Sequence, residues 1–324
     1  MFNVLFASDD NFASYLGVAI YSLLKHNNKD FEQINIFILE KNISLENKNK
    51  IEDISKNFKN SQIFFITDKG IENIIGNEVT ANRALSSFSR LFAPSVLPEK
   101  INKVLYLDCD SLITGSFKEL WTMDIENYAC AGVLDGGPEY NKTSVGLTVE
   151  STYINAGVLL INLNKWRKDN IEKKFIDFLK NNDYNVYNND QGIINGVLSN
   201  EILLVHPRYN LLSPFLEVSY EEVLMWNDIP EYYTKEILDD AIKNPVFIHF
   251  VQFLYGRPWY IETNHPSKKL YENYANETPF KDNIFIHDNR ALKYRIFFSL
   301  INFLPYKALY WIYKPYKDYL IKYF

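Results

Sequence analysis

An α/β fold, a mostly parallel sheet with helices on both faces, follows from three observations. Short β-prone apolar runs alternate with helix-like segments from the third residue onward. Several runs are continuously apolar, as strands covered on both faces require, and Val104 to Leu107 is the clearest. Carboxylates also stand just beyond the runs, at Asp9, Asp108 and Asp135, where open α/β sheets present their ligand sites.

In chain order, Asn3 to Ala7 reads as a first strand, followed by the polar turn Ser8 to Asn11 and a helix over Ala13 to Lys25. Ile34 to Leu39 is a second strand, Ser44 to Phe58 a helix capped by Ser44, and Ile63 to Ile66 a third strand. Ser87 to Leu97 reads as a helix carrying Arg90. After the central strand come Ala129 to Leu134, a strand ending at Asp135, and a polar loop over 136–152. Tyr153 to Asn162 is a buried strand interrupted by Gly157, a place where a ligand or another backbone can approach closely. Leu163 to Leu179 is amphipathic helix, and Asn189, Asp190 and Gln191 open another that runs to Leu198. Ile202 to Val205 is a strand, 219–243 is mostly helical, and Val246 to Phe250 is a strand ending near His249.

The stretch Lys103 to Leu112, KVLYLDCDSL, organises the rest. Side chains two apart on a strand point the same way, so Asp108 and Asp110 can reach one ligand together. Two carboxylates that close repel, and a divalent cation removes the conflict. Oxygen ligands favour Mg²⁺, Mn²⁺ or Ca²⁺. The plain alternative is a pair of acidic residues that ends a strand and opens a turn.

At 324 residues and 47% hydrophobic, the chain can bury a sizeable core. A net charge of −6 gives no case for nucleic-acid binding. Charge is uneven, though: residues 289–324 hold seven Lys or Arg against one acid, so this segment is +6 and the other 288 residues are −12. Its twelve aromatics, interleaved with Lys and Arg and broken by Pro305 and Pro315, describe short helices lying in a membrane interface. Trp311, Phe303 and Tyr310 are the expected inserting side chains; the alternative is that they complete the core of the preceding domain. Two cysteines in apolar runs, Cys109 and Cys130, fit a reducing compartment. The N-terminus lacks a basic n-region, and no run reaches the roughly 20 apolar residues of a spanning helix. The chain is expected in the cytoplasm, attached peripherally to the inner face of the cell membrane.

The ordered set FASDDNFASYLGVAIYSLL, SRLF, KVLYLDCDSLI, YINAGVLLINLNKW, DQGIIN and IHF…GRPW, over about residues 2 to 260, resembles the retaining glycosyltransferases of family 8, close to the bacterial lipopolysaccharide galactosyltransferases and more distantly glycogenin. The resemblance implies a GT-A, Rossmann-like catalytic domain over 1–265, a connecting segment over 266–288, and the basic aromatic tail over 289–324. It implies Mn²⁺, with Mg²⁺ as the substitute, on Asp108, Asp110 and His249. It also implies a UDP-sugar donor, UDP-galactose before UDP-glucose, held by Ala7, Asp9, Asn11, Phe12, Arg90, Asp108, Cys109, Asp135, Asn155, Ala156, Gly256 and Arg257. Asp9 and Asn11 match residues on uracil and ribose, and Phe12 stands where relatives carry a stacking tyrosine. Asp190 and Gln191 match the residues beside the reacting carbon. The acceptor would be a glycan, lipid-linked, of lipopolysaccharide or another cell-surface glycoconjugate.

One departure is visible. Relatives read H-x-x-G-x-x-K-P-W, whereas this chain has six residues between His249 and Gly256 and Arg257 in place of the lysine. Arginine still suits phosphate. Three other readings compete. A nucleotidyltransferase on a similar sheet would want a Gly-rich, basic phosphate loop after the first strand, and Asp9 and Asp10 are the opposite. A haloacid-dehalogenase-type phosphatase would use Asp108 as nucleophile, but its motif continues D-x-D-x-[TV], and Leu112 stands in the last place. A non-catalytic membrane-binding module would explain the tail and leave Asp108, Asp110, Asp190 and His249 without a purpose. If the tail only tethers, removing it after Asp288 is expected to spare catalysis.

Overall fold

The computed structural model describes residues 1–67, 88–230, 232–292, 295–296, 304 and 306–323. Ser87, where the third helix is expected to begin, and Lys293, Phe303 and Pro305 of the tail lie outside them.

Seven strands form the main sheet: β1 (Phe2–Asp9), β2 (Ile34–Lys41), β3 (Ser61–Thr67), β4 (Lys103–Leu107), β6 (Cys130–Leu134), β7 (Ile154–Asn162) and β8 (Ile202–Leu204). Their order is β3-β2-β1-β4-β7-β6-β8. β7 pairs antiparallel with β4 and with β6, and every other pairing is parallel. All nine residues of β7 are buried, so this strand is covered on both faces. A second, three-stranded sheet joins β5 (Ser111–Ile113), β10 (Phe247–His249) and β9 (Leu211–Leu212) in the order β5-β10-β9. Strands of two or three residues carry no period of their own, and β5 and β9 are absent from the sequence reading.

Helices cover both faces. The half around β1 to β3 carries α1 (Ala13–Asn27) and α2 (Leu45–Lys56), with the Ser44 hydroxyl accepting from Asn47 N as its cap. The other half carries α3 (Leu163–Lys168), α4 (Ile171–Asn181) and α5 (Asn189–Leu198). The segment expected as one helix over Leu163 to Leu179 breaks at Asn170, which adopts a left-handed conformation (φ 51°). Two apolar layers, one on each face of the main sheet, centre on Tyr106, Leu159 and Trp166 and on Leu16, Leu105 and Leu160.

The rest of the chain wraps the carboxyl ends of the strands. α6 (Tyr220–Asn227), α7 (Lys235–Lys243) and α8 (Lys268–Ala275) lead into the tail helix α9 (Tyr306–Tyr323). Residues 266–288, read as a connector, contribute Tyr271, Ala275 and Ile284 to a core shared with Tyr15, Phe250 and Trp259. The tail is not wholly exposed either. Tyr310 is 5% exposed, packs with Trp226 and Leu254, and donates its hydroxyl to Asp228. That corrects its expected insertion in a membrane: burying the ring against Trp226 removes it from the helix face that solvent reaches. Trp311 and Ile312, one and two positions on, are 65% and 56% exposed. Among the described residues no helix is long and apolar enough to cross a membrane.

Candidate active site

The D-x-D carboxylates stand where the chain leaves the main sheet for the small one. β4 ends at Leu107 and β5 begins at Ser111, so Asp108, Cys109 and Asp110 form the bend between them. Two backbone hydrogen bonds fix that bend: Asp108 N donates to Gly157 O (2.8 Å), and Phe250 N donates to Asp110 O (2.9 Å). The second ties it to β10, which delivers His249. Its Nε2 lies 3.2 Å from Asp110 Oδ1 and 3.7 Å from Asp108 Oδ2.

The remaining oxygen of each carboxylate is held by a guanidinium. Asp108 Oδ1 takes Arg90 Nη2 at 2.8 Å and the Tyr106 hydroxyl at 2.7 Å, and Asp110 Oδ2 takes Arg257 Nη1 at 2.7 Å. The oxygens on the His249 side are thus the two left facing one another, and with Nε2 all three ligand atoms lie within 4.8 Å. This donor set, oxygen-rich with one imidazole, fits Mn²⁺ or Mg²⁺ better than a thiolate-seeking ion. Burial acts to raise the Asp110 carboxyl, but Arg257 and His249 outweigh it and hold it below the usual carboxylate range.

Gly157 proves to be a point of close approach for a side chain of the site itself. A Cβ there would lie 2.3 Å from His249 Cε1, so the imidazole rests on bare backbone.

Arg90 is neither an exposed ion pair nor an open phosphate contact. The 3₁₀ turn Ser89–Phe92 tucks it over the Tyr106 ring at 4.0 Å, where it is buried. Its Nη2 meets Asp108, its Nε lies 2.8 Å from Asp190 Oδ2, and its Nη1 donates to Ala156 O at 2.7 Å. One guanidinium therefore joins the end of β4, the strand β7 and the start of α5. Burial, opposed by Arg90, raises Asp190 to about 6. Gln191 Oε1 accepts from Ala156 N at 3.1 Å. Asp135 accepts from Gly137 N, Asn141 Nδ2 and Asn155 Nδ2, while burial raises its carboxyl. These groups line a cleft of about 550 Å³ that also takes in Asp108 and His249.

The residues expected to meet the nucleotide, Asp9, Asn11 and Phe12, do not line that cleft. Asp9 caps the turn after β1 by accepting from Phe12 N (3.2 Å), Asn11 is exposed, and Phe12 is 43% exposed with its ring against the edge of Tyr15. Cys109 is buried with its thiol donating to Ala7 O (3.3 Å), so it serves packing and brings the β1 and β4 ends together. Gly256 has φ +77°, which places the next residue, Arg257, back toward Asp110.

Sequence reasoning missed Tyr106, although the alternation that pairs Asp108 with Asp110 equally sets Tyr106 beside Asp108. It also missed Asn210, whose Nδ2 donates to Asn155 Oδ1 at 2.9 Å, and for which a lone Asn after a Pro-Arg-Tyr stretch gives no signal.

Comparison with known proteins decides the family. The profile of glycosyl transferase family 8 matches residues 3–261. The chain belongs to glycosyl transferase family 8. A relative in Haemophilus influenzae is 35% identical over 64% of this chain and 62% of its own length. The lipopolysaccharide 1,3-galactosyltransferase of Salmonella typhimurium is 26% identical over 86% of this chain and 79% of its own. Among solved structures, the galactosyltransferase LgtC in complex with donor and acceptor sugar analogs superposes with a TM-score of 0.67 at 24% identity, covering 86% of this chain and 96% of that one. The fold is GT-A, and the family 8 assignment removes the haloacid-dehalogenase reading of Asp108.

Proposed function

We propose that this family 8 glycosyltransferase is a retaining, metal-dependent hexosyltransferase. Its donor is UDP-galactose, with UDP-glucose the second choice, and its acceptor is a lipid-linked glycan of lipopolysaccharide or another cell-surface glycoconjugate. The observation that carries this reading is the convergence of Asp108, Asp110 and His249 beside a cleft lined by Asp108, His249, Asp190 and Gln191. The Salmonella relative's galactosyltransferase description supports galactose.

In this reading Asp108, Asp110 and His249 hold the divalent ion, which when bound neutralises negative charge on the departing diphosphate. Asp9, Asn11 and Phe12 take the uridine: the carboxylate and amide offer hydrogen bonds, and the half-exposed ring offers a stacking face. Arg257, within 2.7 Å of Asp110, turns to the diphosphate. Arg90 holds Asp190 in place, and that carboxylate, which lines the cleft, accepts from sugar hydroxyls. Gln191 sits below the reacting carbon with its oxygen committed to Ala156 N. An amide so engaged is a poor nucleophile, which favours entry of the acceptor oxygen on the face the UDP leaves. Trp311 and Ile312 with nearby Lys307 then make the surface that meets an anionic leaflet at the cytoplasmic side.

A UDP-sugar hydrolysis screen with Mn²⁺, followed by NMR of the product formed from an α-linked donor, tests the reading. UDP release from UDP-galactose and an α-linked product are expected. A β-linked product would mean an inverting enzyme with a base not yet identified.

A further inference from the structure

The loop over 251–257 separates His249 from Arg257 and belongs to no strand or helix. Buried backbone polar groups need partners, and here side chains from three distant segments supply them. Glu217 Oε2 accepts from Tyr255 N at 3.0 Å. Thr263 Oγ1 donates to Tyr255 O at 2.6 Å. Arg290 Nη1 donates to Phe253 O at 3.2 Å and to Leu254 O at 3.1 Å.

The holders are themselves held. Asp288 engages Arg290 through Nε and Nη2, the latter at 2.8 Å. Glu217 is sealed from water beside His265, whose Nδ1 accepts from Ser267 N; its Nε2 therefore carries the proton and faces Glu217 Oε1 at 3.5 Å. Burial, opposed by the Tyr255 and Leu254 N–H groups, raises Glu217 to about 8, and burial lowers His265 to about 4. Phe253 meanwhile lies edge-on to Trp226, the ring on which Tyr313 of α9 stacks at 5.0 Å.

We propose that Glu217 and Arg290 are positioning residues: together they clamp the 251–257 loop from opposite sides, one on its N–H groups and one on its carbonyls, and so set Arg257 for the donor diphosphate. The tail thereby belongs to the donor site, and a cut after Asp288, expected from the sequence to spare catalysis, removes one jaw of the clamp. The proposal rests on the reading of Arg257 as a diphosphate ligand.

Hydrogen exchange of the 251–257 peptide, and calorimetry of UDP with Mn²⁺, are to be measured on the full chain for Arg290→Gln, Arg290→Lys and Glu217→Ala, each with and without Arg257→Ala. Arg290→Lys keeps charge opposite Asp288 but cannot reach both carbonyls, and it serves should Arg290→Gln not fold. Faster exchange in the loop and about tenfold weaker UDP binding are expected in the singles, with no further loss once Arg257 is alanine. Equal losses in both backgrounds, or unchanged exchange, overturn the clamp. Unaltered UDP binding in Arg257→Ala alone defeats the donor reading of Arg257, while the exchange result still decides whether the clamp exists.

Discussion

Two regions meet at Asp110 and are positioned by different means. On one side, His249 sits on β10 and Asp108 and Asp110 in the three-residue bend that follows β4: β4 is paired on both edges, and so is β10. On the other, Arg257 rides a loop whose backbone is held by Glu217, Thr263 and Arg290. Ladders repeat the same restraint at every residue, so losing one contact shifts little. A loop held by single side chains has no such redundancy. The Asp108, Asp110 and His249 cluster is therefore expected to tolerate distant change, whereas the position of Arg257 depends on residues 40 and 33 positions away along the chain.

The largest expected effect falls on the ladder-held side. Asp110→Asn keeps the shape, removes the charge that faces His249 and Arg257, and is expected to lower UDP-sugar hydrolysis by about 100-fold or more, read as UDP release with Mn²⁺ present. Next comes Gly157→Ala. Its methyl would occupy the place of the His249 ring, and the displacement is expected to cost about 1–3 kcal/mol of stability and to weaken Mn²⁺ binding. A variant with wild-type melting and metal affinity would show that the imidazole does not rest on Gly157.

How much of this contrast was readable beforehand follows from the same physics. Residues beside the ladders announce themselves: continuous apolar runs end at Asp108 and near His249, although Asp108 and Asp110 prove to lie in the bend after β4 and not on a strand whose alternation would pair them. Arg90 was visible as a basic residue in a helix-like segment and, through the resemblance, as a donor contact. Its role as a bridge among Asp108, Asp190 and Ala156 depends on a 3₁₀ turn folding over Tyr106, a tertiary event. Glu217 carried no signal at all, because a single acid between Leu216 and Val218 looks like any surface residue until the loop closes on it. Tyr310 and Trp311 show the finest limit: adjacent aromatics in one basic helix, one buried on Trp226 and one facing solvent.

Glu217 offers a smaller, pH-resolved test. Its carboxyl keeps a proton in the folded chain up to about 8 but in the unfolded chain only to its ordinary value near 4.5, so folding loses stability as pH rises through that interval. Glu217→Gln lacks this loss. Its melting temperature relative to wild type is expected to rise by several degrees, on the order of 2–4 °C per kcal/mol, between pH 5 and pH 8. A pH-independent difference would place the carboxyl in contact with water.

Smallest are the effects at the tail helix. Trp311→Ala with Ile312→Ala is expected to leave melting within about 0.5 kcal/mol of wild type while reducing the salt-resistant share of protein that sediments with anionic vesicles. Tyr310→Ala is expected to do the reverse, lowering stability through the lost packing on Trp226. Identical behaviour of the two variants would remove the distinction between the faces of α9.

The central claim is that Asp108, Asp110 and His249 form one metal site serving a nucleotide-sugar donor. Calorimetry of UDP binding, with Mn²⁺ and after chelation, in wild type and in His249→Ala, tests it most directly. The account predicts strong metal dependence in wild type and its near disappearance in the variant. Equal UDP affinity with and without metal, or undiminished metal dependence in His249→Ala, would contradict it.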